Sequence, residues 1–243
     1  LDLPYPPGAM ALGAADDPGL TRAVAGTTGR GLRALGINVN FAPVADVNSN
    51  PANPVIADRA FGSEQGHVAR HVAAFVTGLQ EAGVAATVKH FPGHGDVDVD
   101  SHLALPRLER GLGSLCELEL PPFEAAFRAG AAAVMGGHIV IPEITGELPA
   151  TLSRAVMTDL LRGRMGFHGV TFSDALEMRA VADRWGYGES AVLALAAGVD
   201  MAAQVASLAD HERTIVSLEA ALAEGHLDER QLAESTARLD RLR

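Results

Sequence analysis

Lys89, His90, His94, Asp96, Asp98, Asp100 and His102 crowd into positions 89–102, directly behind a short apolar run. Pro92, Gly93 and Gly95 interrupt regular structure among them, so these groups ride on a loop that leaves a strand. Loops at strand ends are where α/β proteins place their chemistry. Three more apolar runs end in polar groups, Asp46 (with Arg59 further along its loop), then His138 and Asp174, and Asp200 lies within a fifth. Two reaction classes use such a set. In glycoside hydrolysis Asp174 attacks the anomeric carbon, a second group protonates the leaving oxygen, and Lys, His and Arg hold sugar hydroxyls. In metal-assisted hydrolysis His90, His94, His138 and Asp174 ligate zinc or a similar ion. The spacing of His90 and His94 invites the second reading. Pro92 and Gly93 exclude the helix that would align the two rings.

Elements of alternating type must carry these groups. Apolar runs at 37–44, 84–88, 131–141, 170–172 and 199–202 read as doubly buried parallel strands. Helices are expected at 17–35, 64–82, 114–129 (bent or restarted by Pro121 and Pro122), 153–165, 188–197, 209–224 and 228–242. Asp17 or Thr21 starts the first, Ser153 caps the fourth, and Asp228 with Gln231 forms a capping box for the last. Gly36 and Gly83 follow helix ends. Residues 1–15 read as a loop because Pro4, Pro6, Pro7 and Gly8 oppose helix and strand. Five strand–helix alternations are the pattern of parallel βαβ units. The expected fold is α/β, a (β/α)8 TIM-type barrel in one domain over 1–243. Five strands fall short of eight, so the reading expects the first strands to lie upstream of Leu1.

Composition narrows the partners. The net charge of −11, with no basic cluster, excludes a nucleic-acid binder. No run of apolar residues is long enough for a membrane span. The lone Cys116 forms no internal disulfide, and no Cys spacing binds metal. Neither a Gly-x-Gly-x-x-Gly turn nor a phosphate loop follows a first strand. The expectation is no cofactor, no resident metal, no nucleic acid, a monomer over an oligomer, and cytoplasm over export.

The run Lys89-His90-Phe91-Pro92-Gly93-His94-Gly95, followed by Asp100-Ser101-His102, resembles the signature of the glycoside hydrolase family 3 β-N-acetylglucosaminidases. The resemblance extends through Ala42 to Val47, Asp58 to Gly62, Gly137 to Pro142, Phe172 to Met178 and Ala197 to Met201, in the family's order. It implies a barrel and a retaining two-step mechanism on a carbohydrate carrying terminal N-acetylglucosamine, from peptidoglycan turnover or a chitooligosaccharide. Asp174 matches the nucleophile, His102 the general acid/base, and Asp100 its dyad partner. Lys89, His90 and Arg59 match groups that hold the sugar; His138 and Asp46 lie in neighbouring blocks. Related enzymes often carry an acidic residue where Ala175 stands.

The chemistry suits the match. An imidazole titrates near neutrality, at about 6.5, so it gives and takes a proton across two steps without the elevation a Glu would need. Asp100, two residues away, would orient it and stabilise the imidazolium. A β-glucosidase, a metal-dependent hydrolase and a non-catalytic sugar-binding barrel are the rival readings. His94 is expected to be structural and Asp96 and Asp98 solvated. His67, His71, His168, His211 and His226 are expected at the surface.

Overall fold

The computed structural model describes residues 6–97 and 105–242. They form two compact units. The first comprises Leu1–Asp98, Leu112–Met135 and Leu242–Arg243, the second Val99–Gly111 and Gly136–Arg241.

The first unit opens with helix α1 (Ala9–Ala15), where a loop is expected. The prolines stop at Pro7. The run Ala9-Met10-Ala11-Leu12 that follows is made of the strongest helix formers, and its own propensity decides. Helix α2 (Pro18–Ala34) begins as the sequence predicts: Asp17 accepts from the Gly19 and Leu20 amides, and Pro18 stands in the first turn. Strand β1 is short (Val39–Asn40) and continues as a single parallel bridge from Val44 to Lys89. Helix α3 (Gln65–Glu81) is capped by the Glu64 carboxylate and buries Val68, Val72, Val76 and Leu79. Gly83, just past it, takes the left-handed φ of 79° that ends a helix.

Strand β2 (Ala85–Phe91) pairs in parallel with β1, Val39 against Ala85. Pro121 and Pro122 restart the next helix as expected, giving α4 (Leu112–Leu118) and α5 (Leu120–Arg128) around Glu119. Strand β3 (Ala133–Gly136) is much shorter than the run predicted it from, and it follows β2 in the sheet order. Two details fix the packing. Gly78 is where α2 and α3 touch, because a Cβ there would lie 2.1 Å from the Arg22 carbonyl oxygen. Phe91 meets Phe123 edge-on at 5.2 Å, both fully buried, each contributing about 1.5–3 kcal/mol.

In the second unit a four-residue helix α6 (Pro142–Thr145) precedes a π-helix, Ala155–Arg164. Ser153 starts the π-helix through its carbonyl, which accepts from Val156 and Met157, and not through its hydroxyl. Strand β4 is Val170–Ser173. The predicted fifth strand reduces to one parallel bridge, Phe172 to Met201. Helix α7 (Arg179–Ala197) begins nine residues before the predicted 188 and kinks at Gly186 (φ 66°). Trp185 lies at that kink, half-buried under the Arg184 guanidinium at 4.8 Å. Helices α8 (Leu208–Ala223) and α9 (Glu229–Asp240) complete the unit. The capping box belongs to Ser207 and Asp210 on α8. At α9 Asp228 accepts from Arg230, while Gln231 reaches the Leu195 carbonyl instead.

The chain is thus an α/β protein with parallel strand pairing. No helix among the described residues is long and apolar enough to cross a membrane.

Candidate active site

Asp46 organises the strand ends of the first unit. Its carboxylate is completely buried. Oδ1 accepts from the His94 amide at 2.7 Å and the His90 amide at 3.2 Å, and Oδ2 lies 2.7 Å from His90 Nδ1. The bridge from Val44 to Lys89 and the bond from the Ala45 amide to the Lys89 carbonyl (2.6 Å) bring the two segments to this register. Burial is the largest influence on Asp46 and pushes its carboxyl up. The charge and hydrogen bond of His90, then His94, outweigh it and hold the group below the ordinary carboxylate value. When Asp46 is ionised and His90 neutral, the ring proton sits on Nδ1 and the Nε2 lone pair faces the other side. Arg59 Nη2 stands 3.4 Å from that nitrogen, and its Nη1 donates to the Val55 carbonyl at 3.2 Å. The structure therefore brings Asp46, His90 and Arg59 together, with half-buried Lys89 one position earlier on β2. The Lys89–His90 and Phe91–Pro92 bonds are both cis.

Two residues the sequence reading passed over shape this cluster. Asn53 is buried, donates to the His94 carbonyl at 2.8 Å and accepts from the Val55 and Ile56 amides. It thereby ties the segment carrying Arg59 to the loop behind β2. Its signal was an Asn between two prolines, Pro51 and Pro54, in a loop that has to turn sharply. Glu119 is buried between α4 and α5, against Gly93, where a Cβ would lie 2.6 Å from Oε2. Nothing local in the sequence marks it. Asp96, expected in solvent, is half-buried and accepts from Ser49 at 3.1 Å.

In the second unit β4 delivers Ser173 and Asp174. The Asp174 amide donates to the Gly136 carbonyl at 3.0 Å, and its Oδ1 accepts from the Ala175 amide at 2.9 Å. Asp174 caps no helix, since α7 begins five residues later. His138 is completely buried, and its Nε2–H donates to the Ala175 carbonyl at 3.0 Å. That bond places His138 and the Asp174–Ala175 turn side by side. Ser173 accepts from the Ala203 amide at 2.8 Å, which anchors the strand end from the opposite direction.

Two sequence expectations change. Asp200 also follows an apolar run, but its buried carboxylate accepts from Arg162 at 2.8 Å, Arg238 at 2.9 Å and Ser235 at 2.6 Å. It fastens the π-helix and α9 to β4. His71, expected at the surface, is completely buried, because it occupies the apolar face of α3 beside Val68 and Val72. The rival metal reading calls on His90, His94, His138 and Asp174 as ligands of one ion. Among the described residues, the His and carboxylate atoms close enough to share an ion belong to Asp16, His67 and His71. Asp98, Asp100 and His102 lie outside the described residues, so the dyad has no geometry here.

Parallel strands with polar groups fixed at the ends of β2 and β4 define an α/β protein of the kind that supports loop-borne chemistry. Residues 4–242 match the glycosyl hydrolase family 3 N terminal domain, and the chain belongs to that family. It is similar to beta-hexosaminidase A of Pseudoalteromonas piscicida, 38% identical over 90% of this chain and 40% of that protein. It is equally similar to beta-hexosaminidase LpqI of Mycobacterium tuberculosis, 38% identical over 90% of this chain and 57% of that protein. Among solved structures, a glycoside hydrolase family 3 beta-N-acetylglucosaminidase from Paenibacillus sp. superposes with a TM-score of 0.96. It is 45% identical over 99% of this chain and 46% of its own. The chain spans about half the length of these relatives.

Proposed function

We propose that this chain is the catalytic domain, spanning 1–243, of a retaining exo-β-N-acetylglucosaminidase built on a (β/α)8-type barrel. The observation that carries the reading is the Asp46–His90–Arg59 arrangement, set within the block that resembles the family signature. An imidazole fixed in one tautomer, a guanidinium and the adjacent Lys89 are the donors and acceptors that a sugar's vicinal hydroxyls require. The relatives' names support the substrate class.

In the first step the Asp174 carboxylate attacks the anomeric carbon while the His102 imidazolium gives its proton to the departing oxygen, leaving a glycosyl–Asp174 ester. In the second step neutral His102 takes a proton from water, whose oxygen displaces Asp174, and the sugar leaves with its configuration retained. Asp100 orients His102. Lys89, His90 and Arg59 hold the sugar. Asp46 acts through His90, and His138 through the turn that carries Asp174.

The test pairs nitrophenyl β-N-acetylglucosaminide with nitrophenyl β-glucoside. The first should be the better substrate, and Asp174→Asn should abolish its turnover. Preference for the glucoside overturns the substrate assignment, and an active Asp174→Asn protein overturns the mechanism. His102→Ala should cost about 10²–10⁴-fold on poor leaving groups and far less on good ones. Equal losses on both would show that His102 is not the acid.

A further inference from the structure

We propose that Asp16, His67 and His71 form a binding site for one divalent d-block ion of the zinc class, holding the end of α1 against α3. His67 and His71 lie one turn apart on α3, the spacing at which two imidazoles on one helix face grip a single ion. Asp16 ends α1 in a left-handed conformation (φ 46°), which turns its carboxylate toward them. Asp16 Oδ1 is 3.3 Å from His67 Nδ1 and 3.7 Å from His71 Nε2, and all three ligand atoms lie within 4.8 Å of one another. Bonds of about 2.0–2.2 Å in tetrahedral array put ligand atoms roughly 3.3–3.6 Å apart, so the cluster needs only a small closure of the two rings.

An independent observation comes from His71. Its side chain is completely buried, and Nε2, the atom aimed at Asp16, has no hydrogen-bond partner. Nδ1 lies 2.8 Å from the Thr21 hydroxyl, which is 3.4 Å from the Asp17 carbonyl. If Thr21 donates to Asp17, His71 donates from Nδ1 to Thr21, and the Nε2 lone pair faces a carboxylate oxygen. Two facing acceptors are an arrangement that a cation resolves. Phe61 stacks on the ring at 5.4 Å and fixes its plane. The Thr21 contact then plays the part of the outer hydrogen bond that orients a ligating imidazole.

Two imidazoles and one carboxylate select Zn²⁺, Co²⁺ or Ni²⁺ over Mg²⁺ and Ca²⁺, which prefer oxygen-only shells. The exposed side of Asp16 leaves the fourth position to water. Arg70 competes for the site: its Nη2 lies 3.2 Å from Asp16 Oδ1 and 3.3 Å from His67 Nδ1, on a half-exposed side chain that can swing away. Occupancy would also brace the segment that carries Arg59, since Phe61, two residues on, packs against His71 and Phe75 of α3.

The experiment is a titration of the chelator-stripped chain with ZnCl₂, followed by calorimetry and thermal unfolding, with CoCl₂ absorption as the spectroscopic readout. One zinc site should raise the melting temperature, and MgCl₂ should not. Asp16→Asn, at an exposed position, and His67→Ala, at a partly buried one, should each weaken zinc by about tenfold or more, and Thr21→Val by a similar factor through His71. Arg70→Ala should tighten it. The proposal is overturned if zinc does not bind by about 1 mM. It is equally overturned if Asp16→Asn and His67→Ala bind zinc with unchanged affinity and stoichiometry, which would place any ion elsewhere.

Discussion

Replacing Asp46 separates what its carboxylate does for the loop from what it does for His90. In Asp46→Ala the His90 and His94 amides lose their acceptor, and both are buried. Each unpaired donor costs about 1–3 kcal/mol, so the loss is roughly 2–6 kcal/mol before any contribution from the imidazole. That is a large part of the 5–15 kcal/mol typical of a whole domain. In Asp46→Asn the side-chain oxygen still accepts from both amides. Its NH₂ group, however, now faces His90 Nδ1 across the 2.7 Å contact. Nδ1 must give up its proton, Nε2 must take one, and the new N–H points at Arg59. The expected cost is about 1–3 kcal/mol, the loss of one charge-assisted bond.

Urea unfolding followed through Trp185 measures both variants, and a ¹⁵N–¹H spectrum of the imidazoles reads the tautomer. Alanine should cost at least about 1 kcal/mol more than asparagine, and only asparagine should move the His90 proton to Nε2. Equal costs, or an unchanged His90 spectrum in Asp46→Asn, would refute the reasoning. The pH dependence follows from the same bonds. The folded-state value of Asp46 lies below its ordinary 3.8, so its stabilisation is complete above that value and disappears as pH falls toward the folded one. The stability difference between wild type and Asp46→Asn should shrink below about pH 4, by up to about 1.4 kcal/mol per pH unit.

Asp200→Ala should destabilise the chain by about 3–5 kcal/mol in the same denaturation assay, because it strands Arg162 and Arg238, whose side chains are only 17% and 14% exposed. A loss below about 1 kcal/mol would mean the network is solvated. Gly95→Ala should cost about 1–3 kcal/mol or more, since its Cβ would fall 1.7 Å from the Val47 carbonyl oxygen, a backbone atom that cannot step aside. Gly113→Ala, on α4 with nothing within 4 Å, should instead gain about 0.5–1 kcal/mol. If both glycine variants shift the midpoint in the same direction, the packing argument at Gly95 fails.

What could be read from the sequence was local. Asp17-Pro18 and Gly36 delimit α2, and Pro121-Pro122 divides α4 from α5, because capping and proline chemistry act within a turn. His71 is legible by position. It stands three residues after Val68, on the same apolar stripe as Val72, Phe75 and Leu79, so periodicity alone placed it inside. Its polar ring suggests the surface, but position on the stripe decides its burial. Helix α1 is hidden by the neighbouring prolines, which stop before it starts.

Asp46 and Asp200 mark where local reading ends. Both are buried carboxylates after apolar runs, and the sequence treats them alike. Their partners decide the difference. Asp46 meets His90, 44 residues on, and fixes a ring that presents a lone pair beside Arg59. Asp200 meets Arg162 and Arg238, each 38 residues away, and holds two helices in place. A buried charge needs a counter-charge wherever it lies, so burial alone separates nothing. The distinguishing property is what the partner does with its other atoms. His90 has a second nitrogen to offer a ligand, whereas the guanidiniums around Asp200 turn to backbone carbonyls, Thr171 and Ser235. Measured side by side, Asp200→Asn and Asp46→Asn should both lower stability, but only Asp46→Asn should raise KM for the nitrophenyl glycoside. A KM that rises equally in both would mean that Asp46, too, is purely structural.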